Sequence, residues 1–240
     1  MLLSRYGARE IALCTVLLGL LGTAAWHVSV YAVAACVLLW LACLAFFRDP
    51  RRAIPATPGA LVAPADGHVT EISELEYHDL IGAPATRIGV FLSVFDVHVN
   101  RAPCGGRVVR TDYQPGEFLD ARHAESGQRN ESLTLVIEPD ANLPGPIVVR
   151  QVAGLIARRI VCAAKPGDRL TRGQRYGMIK FGSRTELITP RGPKWRTCVT
   201  MGQTVRGGVT ILVQYQAART ADENIHETHA SSRYEEAAAR

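Results

Sequence analysis

Residues 11 to 47 contain no Asp, Glu, Lys or Arg, and that uncharged run dictates where the amino-terminal part of the chain can sit. A helix needs about 20 residues at ~1.5 Å each to cross roughly 30 Å of hydrocarbon, and this run is nearly twice that long. Two short spans fit better, near residues 10–25 and 28–47, with the break at Trp26-His27, where an aromatic and a polar ring suit the interface. Arg5 and Arg9 precede the first span, and Arg48, Arg51 and Arg52 follow the second. The positive-inside rule then puts both ends on the cytoplasmic side of a cell (inner) membrane. A secretory signal is the alternative, with Arg5 and Arg9 as its basic start and Gly22-Thr23-Ala24-Ala25 as a small-residue cleavage site. The second apolar run so soon afterwards favours the other half of a hairpin, so residues 1–50 are expected to form a membrane-anchoring helical hairpin.

The formal net charge of +5 raises the question of a nucleic-acid partner. No helix-turn-helix or zinc-finger pattern is present, and the aromatics are not interleaved with the arginines, so none is expected. Anionic headgroups are the expected counter-charge for Arg48, Arg51 and Arg52, at about 1 kcal/mol per residue near an anionic leaflet; the same residues serve equally as topology determinants. The six cysteines, Cys14, Cys36, Cys43, Cys104, Cys162 and Cys198, have no Cys-x-x-Cys spacing. They predict reduced, mostly buried thiols, and no metal is expected.

From Pro55 onward, short apolar runs are broken by Gly, Pro and Asp, which predicts a mainly β unit, antiparallel and barrel- or sandwich-like, over 55–216. Segments 87–93, 133–137, 147–149 and 209–213 are the best strands by β-branched content, while 151–162 suits either a buried strand or a short helix. Gly167-x-x-Leu170-x-x-Gly173 and Gly202-x-x-Val205-x-x-Gly208 repeat one pattern before an apolar strand. That hairpin texture also occurs in lipoyl-type carrier domains, but Lys180 lacks the flanking methionines of a carrier lysine. The polar, Ala- and Glu-rich stretch 217–240 predicts disorder or a frayed helix, with His226 and His229 solvated.

Three groups of residues carry chemistry. Gly182-Ser183 is either a turn or a self-cleavage site: a serine hydroxyl can attack the carbonyl before it, and glycine there obstructs little. The resulting ester, after elimination and hydrolysis, leaves a new chain that starts with a pyruvoyl group. In Asp96-Val-His98-Val-Asn100, a strand would turn Asp96, His98 and Asn100 to one face. His98 is then either a general acid or base with a pKa near neutrality or a structural, hydrogen-bonded imidazole. In Pro64-Ala-Asp66-Gly-His68, Asp66 is either a turn residue or, if it lies beside His98, the group that orients the imidazole toward Ser183. His68 can take either role or lie exposed.

Four ordered segments, Pro64-Ala-Asp66-Gly, Phe95-Asp-Val-His98-Val-Asn-Arg-Ala-Pro103, Gln151-Val-Ala-Gly-Leu-Ile-Ala-Arg-Arg-Ile-Val-Cys162 and Gly177-Met-Ile-Lys-Phe-Gly-Ser-Arg-Thr-Glu186, together resemble the short, membrane-anchored form of phosphatidylserine decarboxylase. The apolar hairpin is also in register. The resemblance implies self-cleavage between Gly182 and Ser183 into a large chain, 1–182, and a small chain, 183–240, that stay together as a heterodimer. Ser183 would become the covalent pyruvoyl cofactor, on which phosphatidylserine from the membrane lipids forms a Schiff base before losing carbon dioxide to give phosphatidylethanolamine. His98 would donate the proton at that step and share in self-cleavage with Asp66. The resemblance leaves a higher oligomer open. Longer relatives carry a second histidine three positions after the one matching His98; here that position is Arg101, so His98 does both jobs or His68 takes one over. Two further classes share parts of this pattern: a pyruvoyl decarboxylase acting on a soluble amino acid, against which the hairpin argues, and a non-catalytic anchored β module, which would remain one uncut chain.

Overall fold

The uncharged run folds as two helices, α1 (Ala8–Ala25) and α2 (Val30–Phe46), joined by a turn at Trp26-His27. Ser29 caps α2 by accepting the N–H of Tyr31 at 3.2 Å. With the 3₁₀ turn before it, α1 gives an apolar segment, Arg5–Ala25, of 21 residues, long and apolar enough to cross a membrane; α2 is shorter at 17 residues, about 26 Å. The helix of a water-soluble domain keeps one apolar stripe and buries it. These two are apolar all round, and Leu13, Val16, Leu17 and Leu20 on α1 and Leu38, Leu39 and Leu41 on α2 are exposed. A polar cross-link between them is a hydrogen bond that Trp40 Nε1 donates to Thr15 Oγ1 at 3.0 Å.

In this computed structural model, residues 2–117, 129–140, 143–154, 159–180 and 183–216 are described. Gly182 and the tail 217–240, with His226 and His229, lie outside them. After the helices comes a mainly β unit whose strands all pair antiparallel. They are β1 (Ala60–Val62), β2 (Gly67–His78), β3 (Ala83–Leu92), β4 (Val99–Arg101), β5 (Gly106–Gln114), β6 (Ser132–Pro139), β7 (Ile147–Ala153), β8 (Arg159–Cys162), β9 (Arg169–Leu170), β10 (Arg175–Lys180), β11 (Ser183–Pro190), β12 (Trp195–Thr197), β13 (Thr204–Val205) and β14 (Ile211–Tyr215). Among the described residues they form an eight-stranded sheet, ordered β13-β2-β3-β11-β7-β6-β5-β9, and two three-stranded sheets, β1-β14-β12 and β4-β10-β8.

The β-branched runs predicted as strands lie in β3, β6, β7 and β14. The ambiguous stretch 151–162 resolves into the end of β7 and all of β8, with 155–158 outside the described residues. Alternation along the large sheet sends Ile88, Val90, Leu135, Ile137, Val149 and Leu187 to one side, where they meet Leu61, Leu212 and Val213 of the β1-β14-β12 sheet and Tyr176 of β10 in one buried cluster. The architecture is thus sandwich-like, as the texture predicts.

The repeated glycine pattern has a structural counterpart. Gly167, Gly173, Gly202 and Gly208 all take positive φ, between 76° and 98°, a backbone region open to glycine at little cost. Each copy folds into a two-residue strand, β9 or β13, with its apolar residue, Leu170 or Val205, buried. The two copies form the opposite edges of the eight-stranded sheet.

Candidate active site

β11 begins at Ser183 in the middle of the large sheet, opposite Leu92 of β3 on one side and Ala153 of β7 on the other. Alternation turns Ser183, Thr185 and Leu187 inward. Ser183 is fully buried, and its Oγ has no hydrogen-bond partner among the described residues. A buried hydroxyl without a partner costs about 1–3 kcal/mol, so such an atom is a candidate for chemistry.

His98 reaches the same end of the fold from β4. Strand β4 pairs with β10, whose last residue, Lys180, lies three positions before Ser183, and the His98 carbonyl accepts from the Ile179 N–H at 3.3 Å. The segment from Ser93 to His98 continues directly from Leu92, the pairing partner of Ser183. The imidazole is fully buried. Its Nδ1 lies 2.9 Å from the Asp96 carbonyl oxygen, an acceptor only, so the proton of a neutral ring sits on Nδ1 and Nε2 presents a lone pair. Nε2 is buried with no partner among the described residues. Burial lowers the His98 pKa to about 4, outweighing the opposing pull of the Asp96 carbonyl and carboxylate. At neutral pH the ring is therefore an uncharged base.

Asp96 stands differently from the expectation. The strand begins only at Val99, and Asp96 sits in a turn with its carboxylate folded back onto the Ser93 N–H at 2.8 Å and the Ser93 hydroxyl at 2.7 Å. A side chain that can satisfy its own turn locally does so in preference to joining a strand face. Asn100 does lie buried on β4, where its Nδ2 donates to Thr185 Oγ1 at 3.3 Å and its Oδ1 accepts from Gln151 Nε2 at 2.7 Å. Thr185 and Gln151, which join this network, carry no signal of their own as isolated residues; Asn130, whose Nδ2 donates to the Ala153 carbonyl beside Ser183, is equally silent in the sequence.

The Nδ1 of His98 has the Asp96 carbonyl as its partner, and Asp66 has partners of its own. Its carboxylate forms an ion pair with Arg52 at 2.6 Å and accepts the Gly207 N–H at 2.7 Å. Burial raises its pKa, against the pull of both contacts. His68 is exposed on β2, the last of its three expected alternatives. Arg101, where longer relatives have histidine, points to the other side of β4 from Asn100. There its guanidinium meets Asp49 at 2.8 Å and the carbonyls of Pro50 and Gly173. Two of the arginines that follow the apolar helices are engaged within the fold: Arg52 has an internal counter-charge in Asp66, and Arg48 donates to the carbonyls of Ala45 and Phe95.

The foot of the hairpin forms one wall of this region. The Phe46 ring lies 4.3 Å from that of His98, and Phe46 and Phe47 pack on Met178 of β10. Lys180 is paired with Glu10 of α1 at 2.6 Å, and Asp49 also pairs with Arg175 at 2.5 Å. The end of β10 is therefore tied to both helices immediately before the Gly182-Ser183 bond.

Proteins of known name resemble this chain. The profile of the phosphatidylserine decarboxylase family matches residues 39–213. Proteins named phosphatidylserine decarboxylase proenzyme are similar over most of the chain. The one from Rhodopirellula baltica is 43% identical over 219 residues, 88% of each chain. That from Trichlorobacter lovleyi is 50% identical over 181 residues, 75% of this chain and 80% of its own, and that from Chlorobium chlorochromatii is 40% identical over 220 residues, 89% of this chain and 100% of its own. The match spans both the candidate nucleophile and the wall that packs on it, and the chain belongs to the phosphatidylserine decarboxylase family.

Proposed function

We propose that this chain is a self-processing proenzyme whose mature form decarboxylates phosphatidylserine to phosphatidylethanolamine. The observation that carries the proposal is a pair of buried atoms without partners among the described residues: the Ser183 hydroxyl at the head of β11 and the His98 Nε2 lone pair at the same end of the fold. In self-cleavage the Ser183 Oγ attacks the Gly182 carbonyl carbon while Nε2 takes the hydroxyl proton. The C–N bond breaks, the nitrogen receives that proton, and an ester joins Gly182 to the Ser183 oxygen. Removal of the Ser183 α-proton then expels the Gly182 carboxylate. The remaining enamine tautomerises to an imine, and water replaces its nitrogen, which leaves as ammonia.

A pyruvoyl group fits this position, because a group built from Ser183 inherits a buried, water-poor site at the start of a central strand. When in place it supplies a conjugated carbonyl that accepts the electron pair released with carbon dioxide. His98 holds and moves the proton at Nε2: with a pKa of about 4, a proton placed there is passed on readily to the substrate carbon. Asp66 is a positioning residue in this scheme. It ties Arg52 to the 64–66 turn, and the Pro64 carbonyl in that turn accepts from the Arg101 N–H of β4 at 2.9 Å.

Residues 1–50 form the anchor in the membrane and 55–216 the catalytic unit on its cytoplasmic face, since Arg5, Arg9, Arg48, Arg51 and Arg52 flank the apolar helices. The test is the intact mass of the purified protein under denaturing conditions. Two chains split after residue 182, the smaller with a blocked, carbonyl-reactive start that Ser183→Ala abolishes, are expected, together with conversion of phosphatidylserine to phosphatidylethanolamine. A single full-length chain would remove the proposal. A split chain active only on a soluble amino acid would keep the cofactor and change the substrate.

A further inference from the structure

The turn after β3 breaks a compositional rule. Ser93 to Asp96 is a β-turn, closed by the Asp96 N–H donating to the Ser93 carbonyl at 3.0 Å and braced by the Asp96 carboxylate on the Ser93 N–H and hydroxyl. The two central positions of such a turn project away from the fold and favour Gly, Pro, Asn, Asp or Ser. Here they are Val94 and Phe95, 42% and 83% exposed. A local rule broken with no gain inside the fold is expected at functional positions.

The place of this turn says what it meets. The Phe95 carbonyl accepts from Arg48, two residues beyond the end of α2, and His98, three residues on, lies against Phe46 at the same foot. The apolar tip therefore extends the exposed apolar surface of the hairpin sideways, with Arg48 beside it and the exposed Arg51 three residues further along the chain to meet phosphates. We infer that Val94-Phe95 is a second membrane contact, inserting into the same phospholipid layer as the hairpin and setting the His98 end of the fold against the lipid surface. The turn is already closed and braced, so insertion orders little that is not ordered beforehand. The inference rests on the assignment of the hairpin to the membrane made above.

The experiment uses the full chain in vesicles of phosphatidylcholine and phosphatidylglycerol whose acyl chains carry bromine, a quencher of indole emission. Native Trp26 and Trp40 report on the hairpin, and the difference between Phe95→Trp and wild type reports on the tip. Tyr77→Trp is the control: Tyr77 is 62% exposed at the far end of the β2–β3 hairpin, about 30 Å from the tip along β3. The tip difference is expected to be quenched and the control not. Phe95→Ser is expected to lower turnover of long-chain phosphatidylserine in vesicles about tenfold, the scale set by leaving one aromatic ring out of lipid. It leaves self-cleavage and turnover of dispersed short-chain phosphatidylserine unchanged. Quenched native tryptophans with an unquenched tip overturn the inference while the hairpin assignment stands; no quenching of either removes both. An equal loss on both substrates assigns Phe95 to the fold, and quenching that requires an added protein assigns the tip to a protein partner. Either result overturns the inference.

Discussion

On β11, the inward residues Ser183, Thr185 and Leu187 and the outward residues Arg184, Glu186 and Ile188 are equally buried, none more than 3% exposed, but they are held in opposite ways. On the outward face Arg184 pairs with Glu186 at 2.9 Å and with Glu71 of β2, and Glu71 also pairs with Arg87 of β3 at 3.3 Å. Gly89 of β3 leaves room for the guanidinium: a Cβ there would lie 2.4 Å from Arg184 Nη2. On the inward face the Ser183 hydroxyl is without a partner among the described residues, and Thr185 makes one long contact, with Asn100. An ionic lattice on one side of a strand fixes its register and depth. That allows the other side to carry an unsatisfied nucleophile without the strand shifting to satisfy it.

The largest effect that would sharpen this contrast is on the inward face. His98→Gln keeps a polar side chain but loses the base, and self-cleavage is expected to slow by about 10²–10⁴-fold, the usual worth of a positioned base, measured as the appearance of the small chain. An unchanged rate would move the base elsewhere. On the outward face, Arg184→Ala in the uncut Ser183→Ala background takes away the cation that Glu71 and Glu186 share, and leaves Glu71 with Arg87 alone. A loss of about 3–5 kcal/mol in denaturant unfolding is expected, and a loss no larger than that of Thr185→Val would break the contrast.

Protonation offers a third probe. The His98 pKa is about 4 in the folded chain against the usual 6.5, so between these values the unfolded chain binds the additional proton. The His98 contribution to stability is full above pH 6.5, falls as pH drops toward 4 and then levels off, by at most about 3 kcal/mol. His98→Gln is expected to flatten that slope, and self-cleavage by the wild type should keep its rate down to about pH 5 instead of halving near 6.5. The smallest effect is that of Gly89→Ala, which pushes against the Arg184 guanidinium and is expected to cost about 1–3 kcal/mol, read as a drop in the unfolding midpoint with self-cleavage retained.

Much of the fold is legible in residue order, since β-branched runs between Gly, Pro and Asp locate β3, β6, β7 and β14, and the uncharged run locates the helices. The site is legible unevenly. Gly182-Ser183 is an ordinary dipeptide until it stands with the other three segments. Asp96 misleads when 96–100 is taken as one strand, although Ser93-x-x-Asp96 is itself a turn pattern. The partner of Asp66 is invisible, because an ion pair with Arg52 depends on how the juxtamembrane segment folds back and not on spacing. The outward lattice leaves one trace: a glycine between Ile88 and Val90 in a strand marks close approach by another group, and Arg184-x-Glu186 puts opposite charges on one face.

The central place of β11 also governs what a break in the backbone before it would do. Ser183 opens a strand that is laddered on both sides, by β3 and by β7, and the chain after it supplies β12 and β14 to the sheet shared with β1 and the edge strand β13 beside β2. A cut after residue 182 therefore falls at the head of the strand and leaves the rungs beyond Ser183 on both sides in place, so the two pieces remain interlocked without a covalent tie. Once pulled apart, however, they must find each other by diffusion, so recovery from denaturant would become second order and concentration-dependent where that of the uncut Ser183→Ala chain is not. Processing would then leave a particle that is assembled once, held by its unfolding barrier more than by its ability to re-form.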